Sequence, residues 1–269
     1  MTWQTDMENN LENISLRAPK NEEETDLIIK YWCEIFGDTR AFASDFYTWS
    51  GKENTLAAFS GEELLGAVNF PRVYFKKDGK VLSGGYIFGA FVRPEYRKNG
   101  VFSTLMKGAE TLMKDRGDEF SLVVPAGNEL FSLYEKFGYT TEVYNGFPYI
   151  AKREVLREYT PTDDIYVLWK VYSRAHDVFM KNMEFFNHTM RDAEESGKYF
   201  AVSKDGYIVY TPRHDDSVVV YDRMNGGAVL DGGKKYPRAL LKMFDNGLDI
   251  GDMPVFNMLF EPCFEVLKI

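Results

Sequence analysis

Between Val81 and Arg116 the hydrophobic spacing changes from that of a strand to that of a helix, within a loop of a few residues. Val81–Val92 is an apolar strand run, and Pro94 ends it, because proline cannot continue a hydrogen-bond ladder in a central position. From Gly100 to Arg116 the residues Val101, Phe102, Leu105, Met106, Ala109, Leu112 and Met113 form one apolar face at helical period. The connection is short, basic and closed by glycine: Arg93-Pro94-Glu95-Tyr96-Arg97-Lys98-Asn99-Gly100. The first amides of a helix have no intrahelical acceptor, and the helix dipole adds partial positive charge there. With Arg97 and Lys98 beside it and a glycine that admits close approach, such a terminus suits a phosphate group. A solvated basic loop with a capping glycine would read the same way.

The flanking segments supply the rest of a mixed α/β (α+β) architecture. Ile14–Arg17 and Thr55–Ser60 read as strands, Asn21–Phe36 as a helix with an acidic first turn, and Ala41–Trp49 as a second helix. Leu64–Phe75 reads as one strand, followed by a Lys77-Asp78-Gly79 hairpin turn. After the Gly100 helix come a buried strand, Phe120–Val124, and a short helix, Asn128–Phe137, with Gly138 as its C-cap. Strands near Tyr139–Val143 and Phe147–Lys152 complete a mixed sheet. The second half has expected helices over Thr162–Phe179, Met183–Ser196 and about Lys234–Phe244. Its expected strands are Tyr199–Ser203, Tyr207–Thr211, Ser217–Asp222 and Val255–Phe260. That order repeats the first half, so residues 1–150 and 151–269 are expected to form two domains of one topology.

Composition excludes several functions. A net charge of −9 argues against general nucleic-acid binding, which needs a basic surface to release phosphate counterions. It suits a cationic amine substrate, although many acidic proteins have none. The two cysteines, Cys33 and Cys263, show no CxxC spacing, the N-terminus is polar, and no apolar run is long enough for a bilayer. A cytoplasmic protein with no membrane partner is expected. His176, His188 and His214 are widely spaced without HExxH, so no metal site is expected. The glycine pairs at Gly226 and Gly232 lack Walker spacing and read as turns. His176-Asp177 reads equally as a substrate-side pair or a solvated helix face. Phe42, Phe46, Tyr47 and Trp49 are either core packing or an aromatic wall for a cationic amine.

Two runs carry a family resemblance. Arg97-x-x-Gly100-x-Phe102 follows the (Gln/Arg)-x-x-Gly-x-(Gly/Ala) pyrophosphate pattern of the GNAT acyl-CoA N-acyltransferases, with Phe102 in place of the small last residue. Asn128, Leu133-Tyr134 and Phe137-Gly138-Tyr139 match the later pattern of the same superfamily. The whole chain is similar to Eis-like acetyltransferases shortened by a sterol-carrier-like third domain. The resemblance implies acetyl transfer from acetyl-CoA (coenzyme A) to a primary amine of a small acceptor by direct attack. It implies that backbone groups at Phe91 and Val92 hold the pantetheine arm and polarise the reacting carbonyl. Amides of Lys98, Asn99, Gly100, Val101 and Phe102, with Arg97, would hold the pyrophosphate. Asn128 would contact the cofactor arm, and Tyr134 would protonate the leaving thiolate. The second half would be a degenerate copy of the first. Asp45, Glu62, Glu63 and Glu95 are candidate bases by charge alone. A non-catalytic acyl-CoA-binding or regulatory module is the other reading, and a homo-oligomer stays open.

Overall fold

The computed structural model describes residues 14–146, 148–226, 228–229, 235–244 and 255–256. Contacts divide the chain into two compact units, Met1–Arg72 with Gly84–Val123, and Val73–Ser83 with Val124–Ile269. In chain order the first elements are β1 (Ile14–Arg17), α1 (Glu22–Phe36), α2 (Arg40–Ser50), β2 (Thr55–Ser60), β3 (Glu63–Asn69), β4 (Arg72–Lys77), β5 (Lys80–Val92), α3 (Val101–Asp115) and β6 (Phe120–Val123).

The first unit is a mixed sheet with helices packed on it. β1, β2, β3 and the distal part of β5 pair antiparallel, and β6 runs parallel to β5 from Gly84↔Phe120 to Ile87↔Val123. Both N-terminal helices are capped by their own sequence. The Asn21 side chain accepts from the Glu24 amide, three glutamates occupy the first turn of α1, and Gly37 closes it at φ 79° with its N–H on the Cys33 carbonyl. Thr39 caps α2 by accepting from the Phe42 amide. The buried faces of α1 and α2 meet β2 and β3 around Trp32, Phe46 and Phe59. A polar cluster centred on Asn69 sits in that core. Asn69 is fully buried, its Oδ1 accepts from the Tyr47 hydroxyl (3.0 Å) and the Thr55 hydroxyl (2.8 Å), and its Nδ2 donates to the Phe88 carbonyl (3.2 Å). At the far end of α3 the buried Asp118 carboxylate pairs with Arg116 (2.9 Å from Nε) and Arg72 (3.2 Å from Nε), which ties the helix end back to the sheet.

The second unit contains α4 (Phe131–Glu135), β7 (Thr141–Gly146), β8 (Tyr149–Lys152), β9 (Thr160–Pro161), α5 (Ile165–Tyr172), β10 (Val178–Lys181), α6 (Met183–Glu195), β11 (Tyr199–Val202), β12 (Gly206–Pro212), β13 (Ser217–Asn225), β14 (Ala228–Val229), β15 (Lys235–Met243) and β16 (Val255–Phe256). β9, β11, β12 and β13 form an antiparallel sheet in that order, with β8 and β14 on the outer edge of β13. A strand, two helices and three antiparallel strands therefore occur in β9–β13 as in β1, α1, α2, β2, β3 and β5, with β4 extra in the first and β10 extra in the second. Both copies carry a register irregularity in the last pairing.

Three expected elements are corrected. The Lys234–Phe244 helix is the strand β15, paired antiparallel with β7 from Lys235↔Gly146 to Leu241↔Thr141. Pro237 would break a helix interior, and it sits here at the irregularity in that pairing. The Thr162–Phe179 helix stops at Tyr172, and Val178–Lys181 is a fully buried strand antiparallel to β4. A short apolar run cannot be assigned to helix or strand by period alone. Leu64–Phe75 breaks into β3 and β4 at Phe70-Pro71. The polar lead-in, Gly227, Gly232, Cys263 and the tail beyond Phe256 lie outside the described residues.

Two outcomes follow from this packing. Asn69→Leu strands two buried hydroxyls and a carbonyl, so urea unfolding of the variant should show a loss of at least about 1–3 kcal/mol. Burial raises the phenols of Tyr47, Tyr134, Tyr172 and Tyr207 above their ordinary 10.0. Above pH 10 the unfolded chain loses these protons while the folded chain keeps them, so this stabilisation is present below pH 10 and declines as pH rises further. Thermal melts followed by circular dichroism should show the melting temperature falling steadily from about pH 10 upward.

Candidate functional site

In the first unit the site begins with an extra residue in β5. Asn69 pairs with Phe88 and Ala67 with Phe91, so β5 uses one residue more than β3 across this interval. Gly89 takes up the bulge at φ 54°, and a Cβ there would lie 2.7 Å from the Trp32 ring. The Asn69 side chain on the Phe88 carbonyl fixes the same point. Pairing with β6 ends just before it, at Ile87↔Val123. Phe88–Val92 therefore pairs with β3 on one edge and continues beyond the end of β6 on the other. Phe91 and Val92 are buried, while Phe88, Gly89 and Ala90 are half-buried.

The turn beyond Val92 is clamped by Arg93. Its guanidinium, only 13% exposed, donates to the Leu64 carbonyl (2.8 Å), meets Glu63 (3.3 Å) and Glu95, and stacks on Tyr31 (4.5 Å) and Tyr96 (5.1 Å). The Tyr96 hydroxyl donates to Glu63, and burial together with that carboxylate pushes its phenol up to about 12. Glu95 is held below the usual carboxylate range by its own backbone N–H and, against a burial effect of opposite sign, by Arg93. Two of the carboxylates considered as bases, Glu63 and Glu95, are thus parts of this clamp. Glu62 is exposed on the β2–β3 turn, and Asp45 is half-buried on α2.

The clamp leads to the expected anion turn. Arg97, Lys98, Asn99 and Gly100 are all exposed, and the Arg97 Nε donates to the Val92 carbonyl (3.1 Å), so this side chain bridges strand end and turn. Lys98 and Gly100 take left-handed backbone conformations at φ 66° and 80°, and nothing lies within 4 Å of a Cβ placed on Gly100. No side chain caps α3, whose first backbone bond runs from Thr104 N–H to the Gly100 carbonyl. Val101 is buried under the helix and Phe102 is half-buried. The donor set fits an anion: helix-terminal amides, two cationic side chains and room for close approach.

Tyr134 and Asn128 belong to the second unit. Asn128 is exposed at the start of a 3-10 turn, Asn128–Leu130, which runs into α4. Tyr134 is buried near the end of α4, edge-on to Tyr139 (5.9 Å between ring centroids). Burial pushes its phenol up to about 12. Gly138 turns the chain at φ 87°, and Lys242 Nζ donates to the Phe137 carbonyl (2.8 Å), anchoring the helix end.

The aromatic group on α2 divides. Phe46 and Tyr47 are core, whereas Phe42 and Trp49 are half-buried. The sequence reading missed Phe36, which is exposed beside them, and Asp38, whose Oδ2 accepts from the Trp32 indole N–H (2.6 Å). It also missed Arg93 and Gly89; a glycine inside a strand pattern was the available signal for the bulge. His176 and Asp177 form an exposed pair (3.0 Å) in the loop after α5, off any helix. Among the described residues no three His, Cys, Asp or Glu side chains group as metal ligands, and no helix is long and apolar enough to cross a membrane.

No curated protein matches the chain. Solved structures share its fold at low identity. A GCN5-related N-acetyltransferase from Kribbella flavida is 18% identical, with a TM-score of 0.64, over 86% of this chain and 72% of that one. Eis1 from Mycobacterium abscessus is 13% identical, with a TM-score of 0.69, over 87% and 74%. A GCN5-related N-acetyltransferase from Anabaena variabilis is 14% identical, with a TM-score of 0.67, over 87% and 73%. The family described as acetyltransferase (GNAT) domain matches residues 16–141. Residues 16–141 thus match the GNAT acetyltransferase domain family, and the turn from Arg97 to Phe102 lies inside that match.

Proposed function

We propose that the protein transfers an acetyl group from acetyl-CoA to a primary amine of a small cationic acceptor. The observation that carries this reading is the bulged strand β5 running into an uncapped helix start behind Gly100. The bulge leaves Phe91 and Val92 on a strand edge beyond β6, where backbone groups can hold an extended pantetheine arm. Amides of Lys98 to Phe102 and the Arg97 guanidinium would hold the pyrophosphate, and exposed Asn128 would contact the arm. Acetyl-CoA supplies the acyl group already activated as a thioester. Backbone N–H groups near Val92 polarise the carbonyl as the amine nitrogen forms its new bond to carbon. The carbon–sulfur bond breaks as Tyr134 gives its proton to sulfur, and the proton that the amine nitrogen sheds in becoming an amide restores the Tyr134 phenol. A buried phenol suits this role because it stays neutral across the working range. The net change is amine plus thioester to amide plus thiol.

The acceptor class rests on charge. The half-buried Asp38 carboxylate accepts from Trp32, whose ring also meets Phe36 and Phe42, a combination that favours an ammonium group. Residues 151–269 would be a degenerate partner. Their strand–helix–helix–strand order repeats β1–β5, but β13 is followed by the Gly226 turn and β14 rather than by a basic loop and helix.

Thiol release from acetyl-CoA against polyamines, aminoglycosides, amino acids and basic peptides tests the reading directly. Turnover with one amine class is expected, and no CoA binding in calorimetry would overturn it. Tyr134→Phe should lower kcat by about 10²–10⁴ with CoA affinity kept. The wild-type kcat should hold to about pH 10, since the acid loses its proton only towards 12. An unchanged rate in the variant removes Tyr134 from the mechanism. Arg97→Ala should weaken CoA binding roughly tenfold or more, because charge-assisted hydrogen bonds contribute about 1.5–3 kcal/mol. Calorimetry showing equal affinity would move the pyrophosphate elsewhere.

A further inference from the structure

The second unit holds a cavity of about 410 Å³ that takes no part in the chemistry above. It exists because β9 is only two residues long. That strand pairs with Ala201 and Val202 of β11, after which Thr162 N–H reaches the Phe200 carbonyl and the chain turns into α5. Tyr199, one residue further along β11, has no partner on β9. On the other side α6 ends at Glu195, and Gly197 turns the chain back at φ 75°. The space between is lined by Phe200 and Tyr210, both buried, and by Tyr199, 55% exposed, whose ring lies 5.9 Å from that of Tyr210 at 33°.

The charges at this cavity have one net sign. Asp163 enters it from the turn before α5, and Glu194 from the last turn of α6. Neither carboxylate has an ionic or hydrogen-bond partner among the described residues. The lining's cation, Lys198, is buried with its ammonium over the Tyr221 ring (5.1 Å) on β13. A second feature points the same way. The last turn of α6 contains Asp192, Glu194 and Glu195 and no basic residue, although the negative end of a helix dipole disfavours carboxylates. Local charge is thus placed where it costs stability, beside a tyrosine-lined hollow. A positive group would relieve both terms, and tyrosine faces attract cations.

We propose that this cavity binds a small organic cation, an ammonium or guanidinium group carried on an apolar body. The apolar body would lie on Phe200 and Tyr210, with the charged end between Asp163 and Glu194. This site is independent of the acetyl-transfer reading, because every residue used lies between β9 and the end of β13.

Hydrogen-exchange mass spectrometry of the full chain, with spermidine and agmatine as probes, tests it. Protection is expected in segments 160–164 and 194–200, and this localisation separates the site from any amine acceptor site on α1 and α2. The double variant Asp163→Asn, Glu194→Gln should abolish that protection and weaken the corresponding calorimetric binding at least tenfold. Because Glu194→Gln removes a disfavoured charge from a helix end, the variant should keep or raise its melting temperature. Tyr199→Ala, at an exposed position, is the second variant and should weaken binding several-fold. Absence of protection at millimolar probe, undiminished protection in the double variant, or equal protection by neutral 1-butanol would each overturn the proposal.

Discussion

The first unit is organised by one extra residue in β5. A strand that pairs regularly with both neighbours has no free edge, and a bulge is the least disruptive way to bend it. The bulge needs a left-handed residue and a gap for the Trp32 ring, and Gly89 meets both conditions. It also leaves the Phe88 carbonyl in a buried setting, where an unsatisfied acceptor would cost about 1–3 kcal/mol. Asn69 satisfies that carbonyl and is itself held by Tyr47 and Thr55. The apolar packing of α1 and α2 and the course of β5 are therefore one problem with one solution.

In the proposed reading, the turn that follows presents its amides to an anion without moving. Exposed ion pairs contribute little, typically below about 1 kcal/mol, because water screens them. Arg93 differs because it is largely withdrawn from solvent, bonded to a carbonyl and two carboxylates, and stacked on two tyrosines. Such a network fixes the path from strand to helix. Donors held in place before an anion arrives need little reorganisation when it does. The same carboxylates that complete the clamp are unsuited to act as mobile bases, which is why charge alone did not identify a base.

The second unit repeats a strand order with a different edge. Its sheet repeats the antiparallel order of the first, including an irregularity in the last pairing. The outer edge of β13 is covered by β8 and β14, whereas β5 beyond Ile87 runs past the end of β6. Where β5 meets a core built on glycine and asparagine, β12 and β13 bury Tyr207 with its hydroxyl on Asp222 (2.7 Å). The scaffold is common to both, and the edge chemistry differs.

Features with a local cause were legible in the sequence. The change of period at Gly100, the acidic first turn of α1 and the glycine after α4 each depend on residues within a turn of one another. So does the basic turn from Arg97 to Gly100, whose residues are all neighbours in sequence. Other features were decided only by tertiary structure. Ala239-Leu240-Leu241 suits a helix by composition, but pairing with Thr141–Val143, about a hundred positions away, makes it a strand. Val178–Phe179 joins β4 across a similar distance. Arg93 looks like any loop arginine until Leu64, Glu63 and Tyr31 surround it. Short apolar runs and single charges carry no record of their partners, and those partners arrive only when the sheet closes.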